Sequence, residues 1–193
     1  MPCTPPDDPT RRNMLLGVTG SVAAIKAKEI YEGLCIRYNV RIVATGSALK
    51  FLRTIDGFDP AIVFRDDDEW DEWKRVGDAV LHIDLRRWAD VLVIAPLSAN
   101  SLAKIANGLC VNLLTCIVRA WDYRNPLLVA PAMNTMMWEN PVTKKHLDTC
   151  EELGCREVIG PIHKTLACGD VGVGAMAEPT EILACVERHI SFM

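Results

Sequence analysis

Asn13-Met14-Leu15-Leu16-Gly17-Val18-Thr19-Gly20-Ser21 is the stretch that decides the fold. A short apolar run ends in a Thr-Gly-Ser turn, and Val22–Arg37 then carries apolar residues at helical spacing, which predicts strand, tight turn, helix. The unit recurs as Val40–Ala44, the break Thr45-Gly46-Ser47 and a short helix from Ala48 to near Arg53. Val91–Ala95 is a third apolar strand, followed by Pro96-Leu97-Ser98-Ala99-Asn100 and a helical stretch, and Leu127–Ala130 runs into Pro131-Ala132-Met133-Asn134. Strands that are apolar throughout must hide both faces, so their alternation with helices predicts a doubly wound α/β domain: a parallel sheet between two helical layers. In such sheets ligands gather outside the carboxyl ends of the strands.

Outside this rhythm, Asp56–Val80 carries the acidic run Asp66-Asp67-Asp68-Glu69 with Trp70 and Trp73, and reads as a surface excursion whose charges form a solvated face. Residues 1–12 are polar and Pro-rich, which predicts a disordered or extended tail ahead of one domain over residues 13–193. The formal charge of −4 gives no reason to expect nucleic acid as a partner. No apolar run approaches the ~20 residues of a membrane-spanning helix. The eight cysteines include no Cys-x-x-Cys pair and no signal peptide precedes them. That predicts no metal site, a reducing cytoplasmic setting, and thiols that mostly act as small core hydrophobes.

Three successive strands each end in a loop bearing Ser at or near a helix start: Ser21, Ser47 and Ser98. Each of these is also an ordinary N-cap residue. Their recurrence points to a phosphorylated cofactor held by hydroxyls and backbone amides at helix N-termini. The dinucleotide fingerprint and the Walker loop are both missing, which leaves a mononucleotide such as FMN.

Five segments then carry a pattern: Gly17–Ala24, Leu81-His82-Ile83-Asp84-Leu85-Arg86-Arg87-Trp88-Ala89-Asp90, Ala95–Asn100, Pro131-Ala132-Met133-Asn134-Thr135-Met136-Met137-Trp138, and Ala167-Cys168-Gly169-Asp170-Val171-Gly172-Val173-Gly174-Ala175-Met176. Together they resemble the phosphopantothenoylcysteine decarboxylase branch of the homo-oligomeric flavin-containing cysteine decarboxylases, from Met14 to Val186. The Gly-Ser turn is common to many folds; the last two motifs, in this order, are restrictive. The resemblance implies a flavodoxin-like, Rossmann-like three-layer fold, bound FMN, and a homotrimer with active sites between subunits. Residue by residue, it implies cofactor contacts from Gly20, Ser21, Val22, Thr45, Ser47, Ser98, Ala99, Asn100, Ser101 and Ala132. It implies His82 as the essential histidine, Asn134, Met137, Lys164 and Ala167 as substrate contacts, and Cys168 as the proton donor of a substrate flap. Gly169, Gly172 and Gly174 around that cysteine suit neither a stable helix nor a regular strand, so the stretch reads as a mobile loop. Val111 stands where the family pattern has an aspartate. Thr165 replaces a basic residue, which removes the phosphate contact implied at that position and leaves neighbouring Lys164 as the candidate for its charge.

The implied reaction is decarboxylation of 4′-phosphopantothenoylcysteine to 4′-phosphopantetheine, a step of coenzyme A biosynthesis. Loss of a carboxylate leaves two electrons on carbon, and a C-terminal cysteine has no sink for them. Oxidation of CH2–SH to a thioaldehyde creates one; carbon dioxide leaves, and the enethiol is reduced again. A histidine with a pKa near ~6.5 suits base or positioning work on the thiol, Asn134 offers an amide donor to the carboxylate, and a thiol with a pKa of about 8.5 is protonated and able to donate. Met133 and Trp138 read as packing residues. Two other readings stay open: a non-catalytic regulatory subunit that inhibits a phosphatase, and a flavoprotein of the same fold acting on peptidyl-cysteine or as a prenyltransferase.

Overall fold

The structure, a computed structural model, describes residues 6–165, 169 and 171–190, with no description of the side chains of residues 71 and 72. β1 (Asn13–Val18) lies inside a six-stranded, all-parallel sheet. It pairs with β2 (Asn39–Ala44) on one side and β4 (Val91–Leu97) on the other, with Val18 opposite Ala44 and Gly17 opposite Ile94. β3 (Val63–Phe64), β5 (Leu127–Pro131) and β6 (Glu157–Val158) complete the order β3-β2-β1-β4-β5-β6.

The strand period of two divides the side chains between two cores. Met14, Leu16 and Val18 enter one, with Val91, Val93 and Ala95 of β4. Leu15 enters the other, with Leu92, Ile94 and Leu97. The first core is covered by α1 (Ala27–Cys35), α2 (Gly46–Leu52) and α9 (Pro179–Ile190); the second by α4 (Leu81–Trp88), α5 (Ala99–Ala106), α6 (Leu113–Arg119) and α8 (Pro141–Glu152). Truncating a fully buried side chain such as Leu16 to alanine therefore costs about 2–5 kcal/mol. The chain leaves β1 toward the first core and β4 toward the second, so a crevice opens between their carboxyl ends at the topological switch point. Among the described residues no helix is long and apolar enough to cross a membrane.

Four expectations change. The helix expected over Val22–Arg37 begins as a 3-10 turn, Val22–Lys26, before α1. The acidic run is not merely a solvated face. It forms α3 (Asp66–Glu72), where the Asp68 carboxylate accepts from the Arg65 N–H (2.7 Å) and Asp66 accepts from the Leu113 N–H (2.8 Å), while Glu69 is buried. Carboxylates at helix starts meet unpaired N–H groups and the positive dipole end, which draws them inward. Trp70, 76% exposed, does face solvent. Over residues 6–12 the expected tail is pinned: the Asp8 N–H donates to Asn39 (2.9 Å), and Asp7 accepts from Arg41 and the Trp88 indole, each at 2.8 Å. The Arg41 guanidinium stacks 4.0 Å from the Trp88 ring centroid, which adds to the knot between β2 and α4. Lastly, the Gly-rich stretch read as a loop contains β8 (Val171–Ala175), which pairs antiparallel with β7 (Ile162–Thr165).

Candidate functional site

The loops after β1, β2, β4 and β5 are bonded into one floor. Thr19, fully buried, donates its N–H and its hydroxyl to the Pro96 carbonyl (3.2 and 2.8 Å) and accepts from the Ser98 N–H (2.7 Å). The Thr45 N–H donates to Val18 and the Ala132 N–H to Leu97, both at 3.0 Å. Gly20 is required here: a Cβ would sit 2.7 Å from the Ser47 Cβ, closer than real side chains allow.

Ser21 caps the 3-10 turn, Thr45 caps α2 and Ser98 caps α5, through hydroxyls that accept N–H groups at 3.3, 3.4 and 3.3 Å. The plain capping role thus holds for Ser21 and Ser98. For the middle loop it belongs to Thr45, and Ser47 lies in the first turn of α2 with its hydroxyl 3.3 Å from that of Thr45. The Ser98 hydroxyl donates to that of Ser101, which is buried, while Ala99 is half-buried and Asn100 exposed. Helix starts, hydroxyls and a glycine-lined close approach of backbone fit a phosphorylated mononucleotide without needing a cation.

Beside this floor lies a cavity of about 330 Å³. Its walls are the Ser21–Lys26 turn, the loop Ala132-Met133-Asn134, and the β7–β8 hairpin through Lys164, Thr165 and Gly174–Met176. Among the described residues the Met133 N–H donates to the Gly174 carbonyl at 2.9 Å, which docks the hairpin on this loop. Gly174 has φ +150°, and a Cβ there would strike the Met133 carbonyl. Asn134 caps α7 (Thr135–Trp138), its amide oxygen accepting from the Met136 N–H at 2.8 Å. The Thr135 hydroxyl, under Gly172, is buried without a hydrogen-bond partner among the described residues.

Sequence reasoning missed Lys26 and Glu178. Glu178 pairs with Lys26 and, at 3.0 Å, with Lys164, and the bonds to these two ammonium groups hold its carboxyl below the usual range. Lys26 sits five residues past Ser21, but spacing alone does not distinguish a lysine at a cavity from one in solvent. Met137 is half exposed, with its carbonyl accepting from the Thr143 hydroxyl at 2.5 Å, and Trp138 packs on the second core as expected. Ala167 and Cys168 lie outside the described residues.

His82 is not part of this cavity. It stands in the first turn of α4, on the helical layer opposite the Ser21–Lys26 turn, and its Nδ1 bonds the buried Glu69 carboxylate. Among the described residues, Glu157, Cys185 and His189 stand close enough together to be possible metal ligands, but they are already committed. Glu157 pairs with Arg188 (2.9 Å) and His189 (2.8 Å), and burial pushes the Cys185 thiol up to about 12, so the group ties α9 to the edge strand β6.

The family model described as Flavoprotein matches residues 3–191. Phosphopantothenoylcysteine decarboxylase of Oryza sativa subsp. japonica is 56% identical over 192 residues, covering 95% of this chain and 85% of that protein. A PPC decarboxylase mutant solved in complex with pantothenoylaminoethenethiol superposes with a TM-score of 0.89 at 53% identity, covering 94% of this chain and 99% of the other. The FMN binding protein AtHal3 gives 0.85 at 54% identity, covering 95% and 98%. With its six parallel strands, its switch-point crevice and these likenesses along nearly its whole length, the chain belongs to the flavoprotein family, in the branch that holds the phosphopantothenoylcysteine decarboxylases.

Proposed function

We propose that this chain is an FMN-dependent phosphopantothenoylcysteine decarboxylase that forms 4′-phosphopantetheine in coenzyme A biosynthesis. The observation that carries the reading is the docking of β8 on the Met133-Asn134 loop, which brings two motifs more than thirty residues apart in sequence onto one cavity next to Ser21 and Lys26. The FMN phosphate suits the floor made by Gly20, Ser21, Thr45, Ser47 and Ser98, and the ring suits the side at Ala132. When bound, FMN supplies a reversible two-electron oxidation of the substrate CH2–SH, which creates the electron sink the carboxylate needs.

The chain's own residues do the rest. Asn134, held by its cap, presents an amide donor to the carboxylate and stabilises it without a full charge that would favour the ground state. Lys26 and Lys164 give the cavity mouth the cationic character that a phosphorylated substrate needs. The hairpin covers the site and keeps water out, with Cys168 as the donor of the final proton to carbon.

His82 completes the site from a neighbouring subunit. Its distance in the fold from this chain's own cavity supports a homotrimer with shared sites, as do the exposed side chains Val22, Ile25, Met136 and Met137 near the strand ends. The reading places the protein in the cytoplasm, where the buried Cys150, Cys155 and Cys185 serve as small core hydrophobes.

The test is incubation of the purified flavin-loaded protein with 4′-phosphopantothenoylcysteine, with mass spectrometry of the product and a flavin absorption spectrum. Loss of carbon dioxide to give 4′-phosphopantetheine is expected. Cys168→Ser should release carbon dioxide yet accumulate the enethiol, and His82→Asn should stay yellow and inactive. A yellow protein that releases no carbon dioxide from this substrate refutes the enzyme reading in favour of a binding role, and turnover of a peptide ending in cysteine instead refutes the substrate.

A further inference from the structure

We infer that Glu69 is a positioning residue for the reaction: it fixes the tautomer and orientation of His82 and leaves Nε2 as the nitrogen that accepts a proton. This rests on the reading of His82 as the reaction's histidine.

The geometry begins with α3. Its acidic residues divide their work: Asp68 closes the helix's own start, Asp66 reaches the first N–H of α6, and Glu69, one residue further, turns into the space between α3 and α4. Its side chain is 10% exposed. Among the described residues no lysine or arginine pairs with it, and its hydrogen-bond partner is His82 Nδ1. Cys116 of α6 also faces it; burial first, then the Glu69 charge, raise that thiol to about 11.

A buried carboxylate with no permanent cation is a costly way to fill space, since an apolar side chain would satisfy the same site without desolvating a charge. The arrangement is economical if the carboxylate acts on the imidazole. A carboxylate only accepts, so Nδ1 must carry the proton and donate, and the neutral ring then has its lone pair at Nε2. When Nε2 takes a proton, the same carboxylate stabilises the cation without needing to move, because α3 is tied to both its own N-cap and α6. His82 is a quarter exposed, so one ring nitrogen is held inside while the ring still reaches the surface.

Glu69→Gln tests this, because a glutamine amide has nearly the same shape but carries no charge to stabilise the protonated ring and can donate to Nδ1 as well as accept from it, so it no longer fixes one tautomer. With the flavin-loaded trimer, kcat should fall by about 100-fold or more while KM stays within about twofold, since general acid–base contributions run from about 10² to 10⁴. Glu69→Asp, which keeps the charge, should recover part of the rate. In a His82→Asn background the same Glu69→Gln change should have no further effect on the residual rate, because Glu69 acts only through the imidazole. Independent of any variant's folding, 15N NMR of the native protein at alkaline pH should show His82 as the Nδ1–H tautomer. An inactive His82→Asn together with a fully active Glu69→Gln, or a native His82 in the Nε2–H form, overturns the role of Glu69 and leaves the proposed function standing. An active His82→Asn overturns the reading of His82 itself, and this inference with it.

Discussion

Gly174→Ala is the sharpest perturbation the structure suggests. The residue stands at φ +150°, a conformation that side-chain-bearing residues avoid, and the added methyl group would meet the Met133 carbonyl and the Asn134 backbone rather than a side chain able to swing away. Two losses combine. Backbone strain of this kind costs about 1–3 kcal/mol, and the 2.9 Å bond from the Met133 N–H to the Gly174 carbonyl contributes about 1 kcal/mol more. The sum, about 2–4 kcal/mol, falls on the docking of the hairpin and not on the six-stranded sheet, so it appears as local opening. At 1.4 kcal/mol per factor of ten, hydrogen-exchange protection of the Met133 amide should drop by about 30- to 700-fold, while the amides of β1 and β4 keep theirs. KM for 4′-phosphopantothenoylcysteine should rise in parallel as the cavity loses its third wall. Unchanged Met133 protection with unchanged KM would show that β8 does not hold the substrate loop, and the account of the site would be wrong at its centre.

Thr19→Val keeps the shape but removes the hydroxyl that serves both Pro96 and Ser98. It leaves the Ser98 N–H without its acceptor, while the Pro96 carbonyl keeps the Thr19 N–H, so a urea melt should show a loss of about 1–3 kcal/mol and flavin retention should weaken; an unchanged midpoint would contradict the coupling of the two loops. Among the described cysteines, Cys110 is exposed whereas Cys150 and Cys155 are buried with thiols pushed up to about 11 and 12. Brief alkylation of the folded protein at neutral pH, mapped by mass spectrometry, should therefore mark Cys110 and spare the other two. Burial pushes the Glu157 carboxyl up, but bonds to His189 and Cys185 and the charge of Arg188 outweigh it and leave it below its ordinary value. A depressed carboxyl contributes stability above its unfolded pKa of 4.5 that is lost as pH falls through the folded value, so Glu157→Gln should flatten the acid limb of stability against pH; an unaltered limb would refute this.

The strand-turn-helix rhythm was legible because it is local. Six consecutive residues of β1 carry their own period, and Thr19-Gly20-Ser21 carries its own turn. The bounds of β1 follow from that run alone, and the two-faced burial of Leu15 and Leu16 is what an uninterrupted apolar strand requires. The loops that gather at the strand ends were legible for the same reason, since three of their helix starts carry a capping hydroxyl and the fourth a capping asparagine.

Contacts across distant parts of the chain were not legible. Thr19 meets Pro96 seventy-seven residues away, and Asp66 reaches Leu113 across forty-seven. No spacing rule contains those numbers, which is why the acidic run read as a solvated face when three of its carboxylates have specific partners. The glycines of the second motif argued against a strand by propensity. Pairing with β7 and the close approach of the Met133 carbonyl overrode it, because Gly174 is in that strand to let two backbones touch. The sequence by itself therefore determined the layers, the strand-end loops and the family. Tertiary structure alone decided that Lys26 belongs to the cavity and that His82 stands apart from it behind Glu69, since both depend on which faces of remote helices come to lie against each other.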